Sequence, residues 1–346
     1  MRVKIIGAGS AGIHLAEACR RMGWEVWILD NDRCALDRMY SIYKSRYGEW
    51  DKEIHICEST IGSSQFADII IIATPPDVRM KLALGAIREN PKLLHLEKPL
   101  CTPDLKGVAE FDAEMEYHSD TIVTVGYNHA VSKSIFRVIE LLRGKTIGEV
   151  LTIDVEFREH WKGIFAAHPW LSGPRDSYLG YWKRGGGAGN EHSHALHLWC
   201  RLAREAWGGC LNLNLPDSVS SSMAIGPGVL DGLEYDHTAR FTFEIIGGHM
   251  GSAVQDVITY PPKKFARIQG SEGFIEWQAS PSSDVVSYEI NDRMVSEIFP
   301  KKRPDDFYYE MQHYAALFDG EKFYKSPLDY EYGLEVMKIL NKAYYG

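Results

Sequence analysis

Ten residues near the amino terminus, Val3 to Gly12 (V-K-I-I-G-A-G-S-A-G), leave this chain few folds to choose from. The apolar run Val3 to Ile6 reads as a buried parallel strand. Gly7, Gly9 and Gly12 then supply a G-x-G-x-x-G spacing ahead of the apolar-periodic Ile13, Leu15, Ala16 and Cys19. Gly7 permits a tight turn off the strand, Gly9 lets a pyrophosphate approach with no Cβ in the way, and Gly12 lets the new helix pack close. The first amides of that helix, from Ser10 and Ala11, are where phosphates would sit. Glu25 to Leu29 reads as a second strand, and Asp30 follows it where a carboxylate accepts hydrogen bonds from the adenosine ribose hydroxyls. That carboxylate would repel a 2′-phosphate, so NAD is favoured over NADP. Asn31 and Arg33 flank it as further cofactor contacts, and Arg33 keeps NADP open.

With 346 residues, 45% of them hydrophobic and 25% charged, the chain can bury a large core, and two domains are expected. No window is long and apolar enough to span a membrane, and the first strand begins at Arg2 with no leader before it, so a cytoplasmic protein is expected. The six cysteines (19, 34, 57, 101, 200 and 210) are scattered with no C-x-x-C pair, as reduced thiols would be. A formal charge of −9 argues against nucleic acid as a partner, because phosphate contacts need clustered Lys and Arg.

Beyond Asp30 the pattern alternates. Arg33 to Tyr47 reads as an amphipathic helix, Ile54 to Cys57 as a short strand, and Asp68 to Ala73 (D-I-I-I-I-A) as a fully buried central strand. Thr74-Pro75-Pro76 ends that strand, Pro76 suiting the first turn of a helix that runs to about Glu89. Lys92 to Leu96 is the next strand, with Glu97-Lys98-Pro99 at its carboxyl end, the edge where open parallel sheets bind ligands. A helix over Asp104 to Tyr117 and a strand over Thr121 to Gly126 close the first domain, 1–126.

G-A-G-S-A-G at Gly7 to Gly12, A-T-P-P at Ala73 to Pro76, E-K-P at Glu97 to Pro99 and G-Y-N at Gly126 to Asn128 resemble, in order and spacing, the marks of the glucose-fructose oxidoreductase and inositol dehydrogenase (Gfo/Idh/MocA) family. The resemblance implies a nicotinamide cofactor touched by Thr74, Pro75, Pro76, Glu97, Lys98 and Asn128. Lys98, at a strand end facing that cofactor, can polarise a substrate hydroxyl and stabilise developing alkoxide.

In the second half the period changes. Ser132 to Gly144 reads as a helix and Glu149 to Glu159 as a half-exposed strand. Alternating runs then recur from Ser218 on, at His237 to Ile246, His249 to Tyr260 and Ala266 to Trp277, the last broken by a turn at Gly270 to Gly273. A domain over 127–346 built on an open, mainly antiparallel sheet accounts for them, and the resemblance implies the same. Helices are expected over Asp306 to Phe318 and about 329–344, the last packing back on the first domain.

The segment Phe157 to Gly187 reads as a long irregular loop gathering Trp161, Phe165, Trp170, Tyr178, Tyr181 and Trp182 with Arg158, Lys162, Arg175, Lys183 and Arg184. Such a set suits either a sugar ring with an anionic group or a packed lid or subunit contact; Arg175 and Tyr178 are the candidate substrate contacts. Gly185 to Trp199 (G-G-G-A-G-N-E-H-S-H-A-L-H-L-W) places Glu191 and His194 three apart on the following helix, with His197 one turn on. A carboxylate beside an imidazole makes a general base. A branch of the same family reads G-G-G, then Glu, then Ser-His and an acidic residue three on. The commoner form has Asp with His four later, where this chain has Ala195, and His197 stands where an aspartate is usual, so the roles of Glu191, His194 and His197 stay open. H-x-H-x-x-H could alternatively hold a metal; hydride transfer needs none, and none is expected.

The reading is an NAD-dependent oxidoreductase of a secondary alcohol or ketone on a sugar, nucleotide-sugar or cyclitol. Lys98, His194 and Glu191 carry the chemistry, Lys98, Arg175, Tyr178 and His194 meet the substrate, and the protein is a homodimer or homotetramer, paired through its antiparallel sheet around Phe241, Val254 and Ile258. The alternative is a dinucleotide-binding sensor or partner-binding module without catalysis.

Overall fold

A computed structural model describes the chain except residues 59–65, 209–218, 228–232, 246–247, 291–292 and 321–324; of 219–227 it describes the backbone only. The chain divides into two units, Met1–Asn128 with Arg303–Tyr330, and His129–Lys302 with Glu331–Gly346. The first break lies between Asn128 and His129, and a later segment, Arg303–Tyr330, belongs to the first unit.

The first unit is a doubly wound parallel sheet. Strands β1 (Arg2–Ile6), β2 (Glu25–Asp30), β3 (Ile54–Glu58), β4 (Ile69–Ile72), β5 (Leu93–Leu96) and β6 (Ile122–Val125) are ordered β3-β2-β1-β4-β5-β6. Ile69 to Ile72 are all fully buried, as a central strand covered on both faces requires. Helices α1 (Ser10–Arg21), α2 (Arg33–Tyr47), α3 (Pro76–Ile87) and α4 (Val108–Met115) are the crossovers, and the winding direction reverses between β1 and β4. In such sheets the crevice beyond the strand ends at that reversal is the ligand position. The helix foreseen over 104–117 is shorter, because Asp104 to Gly107 are spent on turns; Leu105 and Gly107 both take positive φ.

The second unit opens with α5 (Lys133–Arg143) and β7 (Val150–Arg158). The segment that follows is no loose loop. It holds α6 (Trp161–Ala166) and three 3₁₀ turns, then α7 (Gly187–Glu191) and α8 (His194–Trp207). Seven strands come next: β8 (Val219–Pro227), β9 (Glu234–Ile245), β10 (His249–Asp256), β11 (Lys263–Gly270), β12 (Phe274–Ala279), β13 (Ser283–Ile290) and β14 (Arg293–Pro300). With β7 they form one sheet ordered β14-β13-β12-β11-β7-β10-β9-β8, in which only β7 and β10 pair in parallel. Helix α9 (Asp305–Phe318) lies in the first unit and α10 (Tyr330–Tyr345) belongs to the second. Helices α5 and α8 cover one face of the sheet, over Ile153, Val155, Phe157, Phe241, Phe243 and Trp277, all buried.

The apolar patch expected around Phe241, Val254 and Ile258 is not one surface. Phe241, 1% exposed, points into the core, while Ile258 lies beyond the end of β10 and is 55% exposed. Alternation separates them: Phe241 stands opposite Ala253, so its neighbour Val254 has its side chain on the other face.

Candidate functional site

In the first unit the sequence builds an anion cradle. Gly7 turns off β1 with φ +114°, and a Cβ there would lie 2.6 Å from the Ala73 carbonyl oxygen at the end of β4. A Cβ on Gly12 would meet the Gly7 carbonyl at 2.1 Å, whereas one on Gly9 would meet nothing within 4 Å. The first glycine and the third are therefore fixed by packing, and the middle one leaves open space. No side chain caps α1, and its first turn holds no acidic residue, so the amide end suits an incoming phosphate.

Asp30 does two jobs at the end of β2. One carboxylate oxygen accepts the Ala8 N–H at 2.8 Å and the other the Asp32 N–H at 3.0 Å, tying the glycine turn to the second strand. Each oxygen retains a lone pair for a ribose hydroxyl. Asn31 is exposed beside it. Arg33, exposed, pairs with Asp37 at 3.1 Å and faces Glu58 at 3.9 Å, so two carboxylates compete with a 2′-phosphate for its guanidinium. These donors and acceptors match a dinucleotide without that phosphate.

Thr74 and Pro75 follow β4, and Pro76 opens α3 at its first turn. One turn in, the buried Arg79 donates to three backbone carbonyls: Glu97 at 2.6 Å, Thr74 and Pro99. It thereby ties Thr74-Pro75-Pro76 to the turn carrying Lys98. Sequence reasoning missed Arg79. The available signal was helical spacing, which sets it on the buried face with Pro76, Met80 and Ala83. Glu97 is also buried, its carboxylate accepting the Lys98 N–H at 3.1 Å. Burial pushes this carboxyl up, but His95 at 3.7 Å, with Arg79 and Lys98, outweighs it and holds the group below the ordinary range. His95 is fixed in turn by the Tyr314 hydroxyl at 2.6 Å. Lys98 and Asn128 are half-buried at the ends of β5 and β6.

In the second unit Glu191 and His194 are not on one helix. Glu191 closes α7, His192 and Ser193 make the break, and His194 opens α8; both side chains remain partly exposed, whereas His192 and His197 are buried. The His194 ring stacks on Phe157 at 5.8 Å and meets His129 edge-on at 4.8 Å. Phe157 stacks on Trp277 at 5.9 Å. An aromatic wall thus sets the imidazole's orientation, and His129, directly after the G-Y-N motif, was another residue missed. Among the described residues no three His, Cys, Asp or Glu side chains are gathered as metal ligands.

The aromatics of 157–187 turn inward. Trp161, Ile164, Leu179, Leu233, Tyr235 and Val257 form a small core against which Phe165, Tyr178 and Tyr181 pack, and Trp182 stacks on Tyr344 at 4.8 Å. Arg175, Lys162, Lys183 and Arg184 stay exposed. Arg158 is committed to Asp256 and Glu156. Asp236, unforeseen, is fully buried under the glycine run, accepting the Gly189 N–H and the Tyr344 hydroxyl, each at 2.6 Å. Burial pushes it up to about 6.

No protein-family model matches the chain, and neither does any curated protein sequence. Solved structures do. The WlbA dehydrogenase from Bordetella pertussis, in complex with NADH and UDP-GlcNAcA, is similar at 18% identity and a TM-score of 0.68 over 99% of this chain and 95% of that one. The aldose-aldose oxidoreductase from Caulobacter crescentus is similar at 15% identity and a TM-score of 0.73, over 99% and 96%. The super-repressor mutant of Gal80p from Saccharomyces cerevisiae is similar at 13% and 0.75, over 99% and 95%. At these identities the likeness is one of fold. The chain has the fold of the Gfo/Idh/MocA-type oxidoreductases, a six-stranded parallel sheet followed by a mainly antiparallel one.

Proposed function

We propose that the chain is an NAD-dependent oxidoreductase that interconverts a secondary alcohol and a ketone on a sugar, nucleotide-sugar or cyclitol. The observation that carries this reading is the cradle of Gly7 to Gly12 with Asp30, together with Arg79, which ties the Thr74 turn to the turn that holds Lys98. A solved structure of the same fold in complex with NADH and a nucleotide-sugar supports it. Ser10 and Ala11 amides would hold the pyrophosphate, Asp30 and Asn31 the adenosine ribose, and Thr74, Pro75, Pro76, Glu97 and Asn128 the nicotinamide half. When bound, the nicotinamide supplies the hydride acceptor. Lys98 donates a hydrogen bond to the reacting oxygen, His194 takes its proton, and Glu191 orients the imidazole. Arg175, its exposed guanidinium suiting a phosphate or carboxylate, contacts the substrate, and Tyr178, partly buried against the small core, offers it only an exposed edge.

The test is fluorescence titration of the protein with NADH and NADPH, followed by nicotinamide absorbance with NAD and a panel of glucose, UDP-glucose, UDP-glucuronate and myo-inositol. Tighter NADH binding and reduction of NAD with one of the panel are expected; failure of both dinucleotides to bind sinks the reading.

We also propose a cytoplasmic homodimer or homotetramer. Among the described residues no helix is long and apolar enough to cross a membrane. Edge strand β14 exposes Met294 and Ile298, at 59% and 68%, large apolar groups that a second copy would cover. One observation favours a second reading, a dinucleotide-binding module without catalysis: a repressor protein shares the fold.

A further inference from the structure

The run Gly185 to Gly189 cannot cap the helix it begins. Gly186 is the N-cap of α7 and has no side chain to offer. The acceptor comes from β9. Asp236 takes the N–H of Gly189, the third residue of α7, which an N-cap side chain ordinarily serves. The fit is close: Gly187 has φ +82°, and a Cβ on it would lie 2.0 Å from the Asp236 carboxylate. The other carboxylate oxygen takes the hydroxyl of Tyr344 in α10. That hydroxyl accepts from Asn190 at 3.1 Å, and Asn190 also donates to the Gly186 carbonyl at 2.8 Å. Trp182 lies flat on Tyr344, the rings 5° from parallel. One buried carboxyl therefore joins α7, β9 and α10, two residues before Glu191.

We propose that Asp236 and Tyr344 are positioning residues, a remote cap that holds α7 and so places Glu191 and the start of α8 at His194. The consequence for turnover rests on the oxidoreductase reading; the cap itself does not. The cap is pH-linked. Among the described residues, α10 faces Asp236 with Tyr344 and α7 faces it with Gly187, the Gly189 N–H and Asn190, while Tyr235 and His237 flank it on β9; no charged group offsets its burial. Because the closed cap binds a proton more tightly than an opened one, in which the carboxyl returns toward 3.8, the cap is firmest at low pH and loosens as pH rises through about 6.

Hydrogen–deuterium exchange of the whole chain, corrected for intrinsic rates, reads the cap in the peptide 185–199 without any ligand. Protection there should fall about tenfold between about pH 5 and about pH 7.5 in the wild type, as that shift dictates. Asp236→Ala should remove protection at both. Asp236→Asn, neutral and still an acceptor for Gly189, should restore it with no pH dependence. With whichever panel sugar reduces NAD, Asp236→Ala should lower kcat about tenfold with NADH affinity unchanged. Wild-type protection that ignores pH overturns the pH link, and an Asp236→Ala variant protected like the wild type overturns the cap. Lost protection with unchanged kcat overturns the positioning role. If Asp236→Ala does not fold, Tyr344→Phe, which removes one hydroxyl, decides: protection should fall, and unchanged protection counts against the proposal. Failure of the oxidoreductase reading shows separately, as a wild type that reduces no NAD while its exchange pattern stands.

Discussion

Arg79 and Glu97 meet through the main chain, the guanidinium donating to the Glu97 carbonyl at 2.6 Å although the carboxylate of the same residue is buried beside it. Two further carbonyls, of Thr74 and Pro99, point at the same guanidinium. Its planar fork serves acceptors from two separate loops through two nitrogens, a span that a lysine's compact ammonium does not match. Arg79→Ala leaves three inward carbonyls without their donor, at about 1 to 3 kcal/mol for each that stays dry. A loss on the order of 3 kcal/mol in urea unfolding is expected, with Arg79→Lys recovering only part. A change below about 0.5 kcal/mol would show that water replaces the guanidinium easily.

Cofactor choice turns on Asp30. Asp30→Ala removes the charge that repels a 2′-phosphate and also frees the Ala8 and Asp32 amides that shape the glycine turn. NADH affinity should fall on the order of tenfold, the value of a charge-assisted hydrogen bond, and the ratio of NADH to NADPH affinity should narrow. Parallel fluorescence titrations measure both; an unchanged ratio removes Asp30 from the site.

Glu310 of α9 is fully buried, and burial, reinforced by the Glu97 carboxylate, raises it well above the ordinary range. The folded state therefore keeps a proton that the unfolded state releases above about 4.5. Stability must then fall as pH rises above that value, by up to about 1.4 kcal/mol per unit for this one group. Glu310→Gln carries the same shape without the titration, so its unfolding free energy should decline less between about pH 5 and about pH 8. Urea melts at the two pH values decide it, and parallel wild-type and variant profiles would mean that Glu310 is ionised in the fold.

Much of this could be read from the chain. The glycine spacing, the D-I-I-I-I-A strand and the proline-led α3 carry local signals strong enough to fix the first sheet, and α2 runs from Arg33 to Tyr47 as its periodicity predicts. What escaped was set by distance in sequence. Asp236 meets Gly189 and Tyr344, 47 and 108 residues away, and no local pattern marks a carboxyl for such partners. The short turns of 161–184 run three to six residues, less than two helical periods, so they read as irregular and their inward aromatics as available for ligand. The Glu191–His194 pair reads as one continuous helix because the break at His192 and Ser193 contains neither Gly nor Pro, and no residue type there marks the end of α7.

Whether the chain is an enzyme or a binding module is decided by Lys98 and His194. In the proposed mechanism the dinucleotide is held by the glycine turn and Asp30, whereas Lys98 and His194 act only on the substrate oxygen as its proton leaves. Binding and chemistry should then separate. Positioned acid–base groups contribute on the order of a hundredfold to ten-thousandfold in rate, so Lys98→Met or His194→Asn should slow hydride transfer by about that much while NADH affinity barely moves. Because both would serve one proton transfer, the double variant should lose less than the product of the single losses. His194→Asn needs a check on folding, since its ring stacks on Phe157; unchanged urea melts would confine the effect to chemistry. Rapid mixing with the panel sugar that reduces NAD, followed at the nicotinamide absorbance, measures the step. Variants that transfer hydride at the wild-type rate would leave these side chains a structural role only, and a wild type that binds NADH tightly yet reduces nothing would favour the module.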